Sequence, residues 1–311
     1  MTPYADAPTI ILGADGFLGR NLLEYWRTSG WPVHPVGRAD GDFTERAVVD
    51  RVFREAPRAG RILHAITKQR TGAIQYEMQG ELLRDNSRIH LNVLDAWRTH
   101  QPQAKLVSLG SSCVYPESPK PLSEEAFRSG APHGSVRGYA LAKETLAIGC
   151  ETYGSQYGLK WLHCILATVY GPHAHTEPHR SHFMAALIAR AAAAKAKGLS
   201  EFEVWGSLDT VRDLLFVEDQ IEAILAADAA FTDCILNVTP NAPVTIGECA
   251  TAILRALDWH GACVVSPPDS FQGAGYKSLD STRFLNATGW RPRIGLEEGV
   301  VRSLRSGGSQ S

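Results

Sequence analysis

The chain has 311 residues, 44% hydrophobic and 21% charged, enough to bury a sizeable core in one large or two smaller domains. Its formal net charge of −2 gives no overall basic field, which argues against a nucleic-acid binder or a protein held to a membrane by charge. No apolar run reaches the length of a membrane span, and residues 1–8 lack a basic stretch followed by an apolar one, so neither membrane insertion nor secretion is expected. The cysteines Cys113, Cys150, Cys164, Cys234, Cys249 and Cys263 form no CxxC pair and no zinc-ligand spacing. A cytoplasmic protein with reduced thiols is the expectation.

In chain order, residues 9–13 read as a strand, 17–28 as a helix and 32–36 as a second strand. Further strands are expected at 61–66, 105–109 and 161–168, with helices at 75–99 and 139–157 between them. Strands alternating with helices predict an α/β fold with a doubly wound parallel sheet. After Gly171 the pattern loosens. Four histidines (His173, His175, His179 and His182) crowd a loop with two prolines, and no carboxylate or cysteine recurs there at ligand spacing. A polar loop is therefore expected, and no metal. Residues 181–197 read as an Ala-rich helix, 234–238 as a strand and 245–257 as a helix. Residues 305–311 read as a disordered Gly/Ser-rich tail.

Gly13-Ala-Asp-Gly16-Phe-Leu-Gly19 lies between the first strand and the first helix. Gly13 permits a tight turn, Gly16 lets backbone approach a pyrophosphate, and Gly19 lets helix and strand pack closely. The helix N-terminus adds a positive dipole end. The loop predicts a bound dinucleotide. Strand two ends Val36-Gly37-Arg38, with the first acid, Asp40, two residues further on. An arginine there suits a 2′-phosphate, which favours NADP(H) over NAD. Asp42 and Phe43, later in the same loop, are placed to flank an adenine.

Tyr139 and Lys143 stand at i and i+4 on one helix face. A tyrosine that protonates an alkoxide needs help, because its ordinary pKa is about 10. A neighbouring ammonium favours phenolate. Ser111, at the end of an upstream strand, can hydrogen-bond the substrate oxygen. A phosphate loop, a strand-end serine and a YxxxK pair in that order point to hydride transfer at a carbon bearing oxygen.

These residues resemble the extended short-chain dehydrogenase/reductase family, and within it the GDP-L-fucose synthase branch of sugar-nucleotide 3,5-epimerase/4-reductases. The resemblance is carried by Leu109-Gly-Ser-Ser-Cys-Val-Tyr-Pro116, Tyr139-Ala-Leu-Ala-Lys143, Tyr170-Gly-Pro172, Ser181-His182, Val204-Trp-Gly-Ser207 and Arg212-Asp-Leu-Leu-Phe-Val-Glu-Asp219. It implies a Rossmann domain over residues 1–170, rejoined by a segment at about 213–240, and a mainly substrate-binding domain over 171–311. It implies Ser111, Tyr139 and Lys143 as the reducing set. Cys113 and His182 would be the base and acid that move protons beside the ketone. Protons alpha to a carbonyl are acidic enough for such a pair, and a thiol near a cation is more readily thiolate. The plainer alternatives are a small buried hydrophobe for Cys113 and a helix-start surface residue for His182.

The resemblance also implies cofactor contacts. Asp15, Phe17 and Leu18 would join the loop glycines. Arg38 and Asp42 would serve the adenosine end, and Leu109, Lys143, Leu166, Val169 and His182 the nicotinamide end. Arg190, Trp205, Arg212 and Lys277 would hold the nucleotide sugar, GDP-linked by preference; guanidinium and ammonium groups suit a diphosphate. Related dehydratases carry Thr-Asp-Glu where this chain has Ser112-Cys113-Val114, so loss of water is not expected. Three departures stand out. Thr168 replaces an asparagine, Asp15 replaces a basic residue, and Lys68-Gln-Arg70 replaces a glycine-containing loop. A GDP-linked 3,6-dideoxy or heptose 4-ketone, or a CDP-linked ketone, stays open as substrate. So does a simple C4 ketoreductase or 4-epimerase on a GDP-, CDP-, UDP- or dTDP-sugar. A dinucleotide-sensing regulator is the non-enzymatic alternative, and the complete Ser111/Tyr139/Lys143 set argues against it. A homodimer through the helices at 75–99 and 139–157 is expected from the resemblance.

Overall fold

The computed structural model describes residues 4–72, 74–175, 181, 183–267 and 274–307. Six strands make the main sheet: β1 (Thr9–Leu12), β2 (Val33–Val36), β3 (Arg61–His64), β4 (Lys105–Ser111), β5 (Trp161–Leu166) and, much later, a strand at Cys234–Val238. All pair in parallel, in the order β2, β1, β3, β4, β5, then Cys234–Val238. β1 and β5 are buried along their whole length, as strands covered on both faces must be. The doubly wound α/β expectation holds.

Helices cover both faces. α1 (Phe17–Thr28) packs on one side with a later helix at Val217–Ala230, through Leu22, Trp26, Ile221 and Ile224. On the other side lie α2 (Arg46–Glu55), the short α3 (Ile74–Glu77), α4 (Gln79–His100) and α5 (Arg137–Tyr157). Of these, α2, α4 and α5 bury Val49, Phe53, Val93, Trp97 and Leu146 against the sheet. Phe43 belongs to this apolar cluster and is buried beneath the β2 loop, so it does not flank an adenine. The chain passes from β1 to β2 on one side and then crosses back to place β3 on the other side of β1, so the winding reverses there. That switch point opens a crevice at the carboxyl ends of the strands, where such sheets bind ligands.

A smaller sheet is built around β8 (Val211–Phe216), which pairs with β6 (Thr168–Tyr170), β10 (Pro243–Thr245) and β12 (Tyr276–Lys277). A third pair joins β7 (Glu201–Glu203) to β11 (Cys263–Val265), with β9 being the sixth strand of the main sheet at Cys234–Val238. Around the small sheet pack α6 (Phe183–Ala196), α8 (Ile246–Ala256) and α10 (Leu296–Gly307), through Leu187, Phe216, Ile253 and Val300. The helix at Val217–Ala230 is α7, and α9 (Thr282–Thr288) returns to the main sheet through Phe284. The expected strand at 161–168 divides in two. β5 stays in the main sheet, and β6 turns at Ala167 to join β8. The expected tail at 305–311 begins inside α10, because Val300 anchors that helix in the core; residues 308–311 lie outside the described residues. Among the described residues no helix is long and apolar enough to cross a membrane.

Candidate active site

A cavity of about 650 Å³ runs from the start of α1, across the ends of β4 and β5, to β8 and β12. At one end stand Gly16, Phe17, Leu18 and Gly19. A Cβ on Gly19 would collide with the Gly13 carbonyl oxygen, and one on Gly16 would come within 3.3 Å of it. Gly13 has φ +87° and lies against the Ala65 backbone, so only glycine suits it. No side chain caps α1, and no acid occupies its first turn. A helix end left open in this way fits a pyrophosphate. Arg38 reaches the cavity from the β2 end. Asp15 binds the Arg38 backbone N–H at 3.0 Å. Asp42 is exposed, and the Thr44 amide holds its carboxyl below the usual range.

In the middle, β4 ends at Ser111 and α5 begins at Arg137, which brings Ser111, Tyr139 and Lys143 to one wall. Lys143 Nζ donates to the Leu109 carbonyl oxygen at 2.8 Å and is buried, which pulls its pKa down to about 8. Burial pushes the Tyr139 phenol up, and the Cys113 charge adds to this; hydrogen bonds with Thr67 and Ser111 pull the other way. Lys143 was expected to lower the phenol. Instead its ammonium sits 5.9 Å from the Tyr139 ring centroid, turned to the strand carbonyl. Ser111 Oγ also accepts the Cys113 N–H at 3.3 Å, so one hydroxyl touches both Cys113 and Tyr139.

At the far end Lys277 Nζ lies 3.5 Å from Cys113 Sγ. Lys277 and Arg212 are register partners on adjacent strands. Arg212 is fixed by its own bonds to the Val211 and Ala274 carbonyl oxygens, at 2.7 and 2.8 Å. Burial alone would raise the Cys113 thiol. The Lys277 charge, hydrogen bonds from Ser111 and Lys277, and the Arg212 charge outweigh it, and the thiol lies below its ordinary value. Asp213 holds the strand that carries Lys277, accepting the Leu279 N–H at 2.7 Å and the Ser278 hydroxyl at 3.0 Å.

Leu109, Leu166, Thr168 and Val169 also line the cavity. Arg190 and Trp205 lie outside its lining. They stack on each other with the guanidinium carbon 4.5 Å from the ring centroid, Trp205 being 58% exposed. His182 and His179 fall outside the described residues. Three features escaped the sequence. Thr67 bonds Tyr139 and in turn donates to the buried Asn86 at 3.2 Å. His175 joins the cavity wall. Behind Lys143 lies a row of fully buried imidazoles. His64 pairs with His90 at 2.9 Å, and His163 with Ser108 at 2.7 Å. Only the sheet register, which sets His64, Ser108 and His163 side by side, reveals it.

A parallel doubly wound sheet with a glycine cradle at its switch point defines a Rossmann-type enzyme. A family model described as "NAD dependent epimerase/dehydratase family" matches residues 9–237, and the chain belongs to that family, the extended short-chain dehydrogenase/reductases. It is 29% identical to "Probable GDP-L-fucose synthase 1" of Oryza sativa subsp. japonica, over 95% of this chain and 90% of the relative. It is 31% identical to "GDP-L-fucose synthase" of Escherichia coli (strain K12), over 86% of this chain and 83% of the relative. Among solved structures, a GDP-L-fucose synthetase from Naegleria fowleri bound to NADP matches with TM-score 0.85 and 21% identity, over 98% of this chain and 94% of that one.

Proposed function

We propose that this chain is an NADP(H)-dependent epimerase/reductase of a 4-keto-6-deoxy nucleotide sugar, GDP-linked by preference. One observation carries the reading: a cation-paired thiol, Cys113 with Lys277 at 3.5 Å, shares a cavity with Ser111, Tyr139 and Lys143. A reductase alone has no use for that thiol. Cys113 takes a proton from a carbon beside the ketone, and a base below its ordinary pKa suits the task. His182 returns a proton on the opposite face, as inversion requires. Tyr139 then protonates the C4 oxygen, Ser111 holds that oxygen by a hydrogen bond, and Lys143 positions the nicotinamide ribose. The dinucleotide supplies the hydride. Arg38 on the cavity wall supports the 2′-phosphate form. Arg212 and Lys277 face the diphosphate end, with Arg190 and Trp205 further out toward the base.

The names of the curated relatives support the GDP link. All six cysteines are free, which suits the cytoplasm. We assign residues 1–170, with the segment near 213–240, to the cofactor domain and the bulk of 171–311 to the sugar. Leu83 and Leu91 on α4 and Tyr157 on α5 are exposed and give a homodimer its contact face. The test is mass spectrometry of GDP-4-keto-6-deoxymannose incubated with enzyme in heavy water without NADPH. Uptake of deuterium at C3 or C5 is expected. Turnover with NADPH but no uptake would refute the epimerase half and leave a simple C4 ketoreductase.

A further inference from the structure

Asp15 leaves the phosphate loop and reaches the end of β2. Its carboxylate accepts the Arg38 N–H at 3.0 Å and lies 3.5 Å from the Arg38 guanidinium. Glycine at position 37 makes this approach possible, because a Cβ there would stand 3.1 Å from the Asp15 carboxyl carbon. A second acid, Asp40, accepts the Gly37 N–H at 2.8 Å. Two carboxylates therefore fix the bend after β2, and the arginine suited to a 2′-phosphate already has a counter-ion.

The other cations of this rim are engaged as well. Lys68 pairs with Asp85 at 3.2 Å. Arg20 donates its Nε to the Asp15 carbonyl oxygen, and Arg70 donates to the Gln69 carbonyl oxygen. Asp42 adds an exposed carboxylate in the same loop. A 2′-phosphate brings nearly two negative charges. Here it meets an acid beside a cation that is already partly neutralised. A plain ribose 2′-hydroxyl is a donor, and a carboxylate is the acceptor that suits it. The acid that other dinucleotide sites place at the end of strand two is supplied here by the phosphate loop.

We propose that Asp15 sets the dinucleotide preference of this chain, narrowing the discrimination so that NADH is accepted alongside NADPH. The inference rests on the dinucleotide reading above. Asp15 acts on the cofactor ribose and on Arg38, away from the reacting carbons.

The test is direct binding of NADPH and NADH, followed by nicotinamide fluorescence, to wild type and Asp15→Asn, with Asp15→Ser as a second variant at this half-buried position. Wild type should bind the two within about tenfold of each other, since about 1.4 kcal/mol separates tenfold affinities and one screened charge contact is of that order. Asp15→Asn should tighten NADPH and weaken NADH, moving the ratio by about tenfold. Wild type that prefers NADPH by a hundredfold, or variants whose ratio stays within twofold of wild type, would overturn the proposal while leaving the enzyme reading intact. Binding of neither dinucleotide would overturn both.

Discussion

Replacing Lys277 with methionine keeps the bulk of the side chain and removes the charge 3.5 Å from Cys113 Sγ. Two unit charges at about 4 Å interact by about 1 kcal/mol under water-like screening and by about 4 kcal/mol at an effective dielectric near 20. The cavity is open and Arg212 remains nearby, so the lower part of that range applies. Losing about 1 kcal/mol lowers the thiolate fraction near neutral pH by about fivefold. The assay is alkylation by iodoacetamide, read by peptide mass spectrometry at Cys113 across a pH series. The thiolate is the reacting form, and its pKa lies below the ordinary thiol value, so wild-type alkylation at Cys113 should begin at lower pH than that of an ordinary free thiol such as a cysteine in a short peptide. Lys277→Met should move the onset to higher pH, and Lys277→Arg should hold it. A Lys277→Met profile that overlays wild type would refute the claim that Lys277 activates the thiol.

Two further outcomes follow from packing and burial. Gly19→Ala should destabilise the fold by about 2 kcal/mol or more, because its Cβ meets the Gly13 carbonyl oxygen. Gly16→Ala, with a gentler contact, should melt near wild type and bind NADPH more weakly; urea midpoints and fluorescence titration check both. The buried row should make the fold acid-sensitive. Burial lowers His64 and His163 to about 3, and His90 is lowered in the same direction. The unfolded chain protonates these groups below about 6.5, and the folded chain resists until far lower pH. Their stabilisation is thus complete above that value and is lost as pH falls from it toward 3, by about 1.4 kcal/mol per pH unit for each imidazole. Urea melts at about pH 7 and about pH 5 should show a shallower loss in His163→Gln; an unchanged loss would mean that His163 does not contribute to the acid sensitivity.

The parts legible in the sequence were those written in short spans. Gly13 to Gly19 announce a turn between strand and helix, and Tyr139 and Lys143 share a face through helical spacing alone. α1 and the strand at Cys234–Val238 fall on their expected residues. The second sheet was not legible, because β6, β10 and β12 hold two or three residues each and pair with β8 across the chain. The sequence motif points to Lys277 as a substrate contact, but its approach to Cys113 depends on that sheet. Lys143 was expected to act on Tyr139, and burial together with the Leu109 carbonyl redirected it. Phe43 shows the same limit. An aromatic residue after β2 reads as an adenine neighbour until the packing of α2 claims it for the core.

In the proposed function one cavity runs two separable chemistries, proton exchange at Cys113 and reduction at Tyr139. The most direct test follows both in the same sample: deuterium uptake from heavy water into GDP-4-keto-6-deoxymannose, and NADPH-dependent reduction of the ketone. Cys113→Ser should lose uptake while still reducing a ketone supplied in the already inverted form. Tyr139→Phe should keep uptake and lose reduction. If Cys113→Ser exchanges at the wild-type rate, or Tyr139→Phe abolishes exchange along with reduction, the two chemistries are not divided between Cys113 and Tyr139.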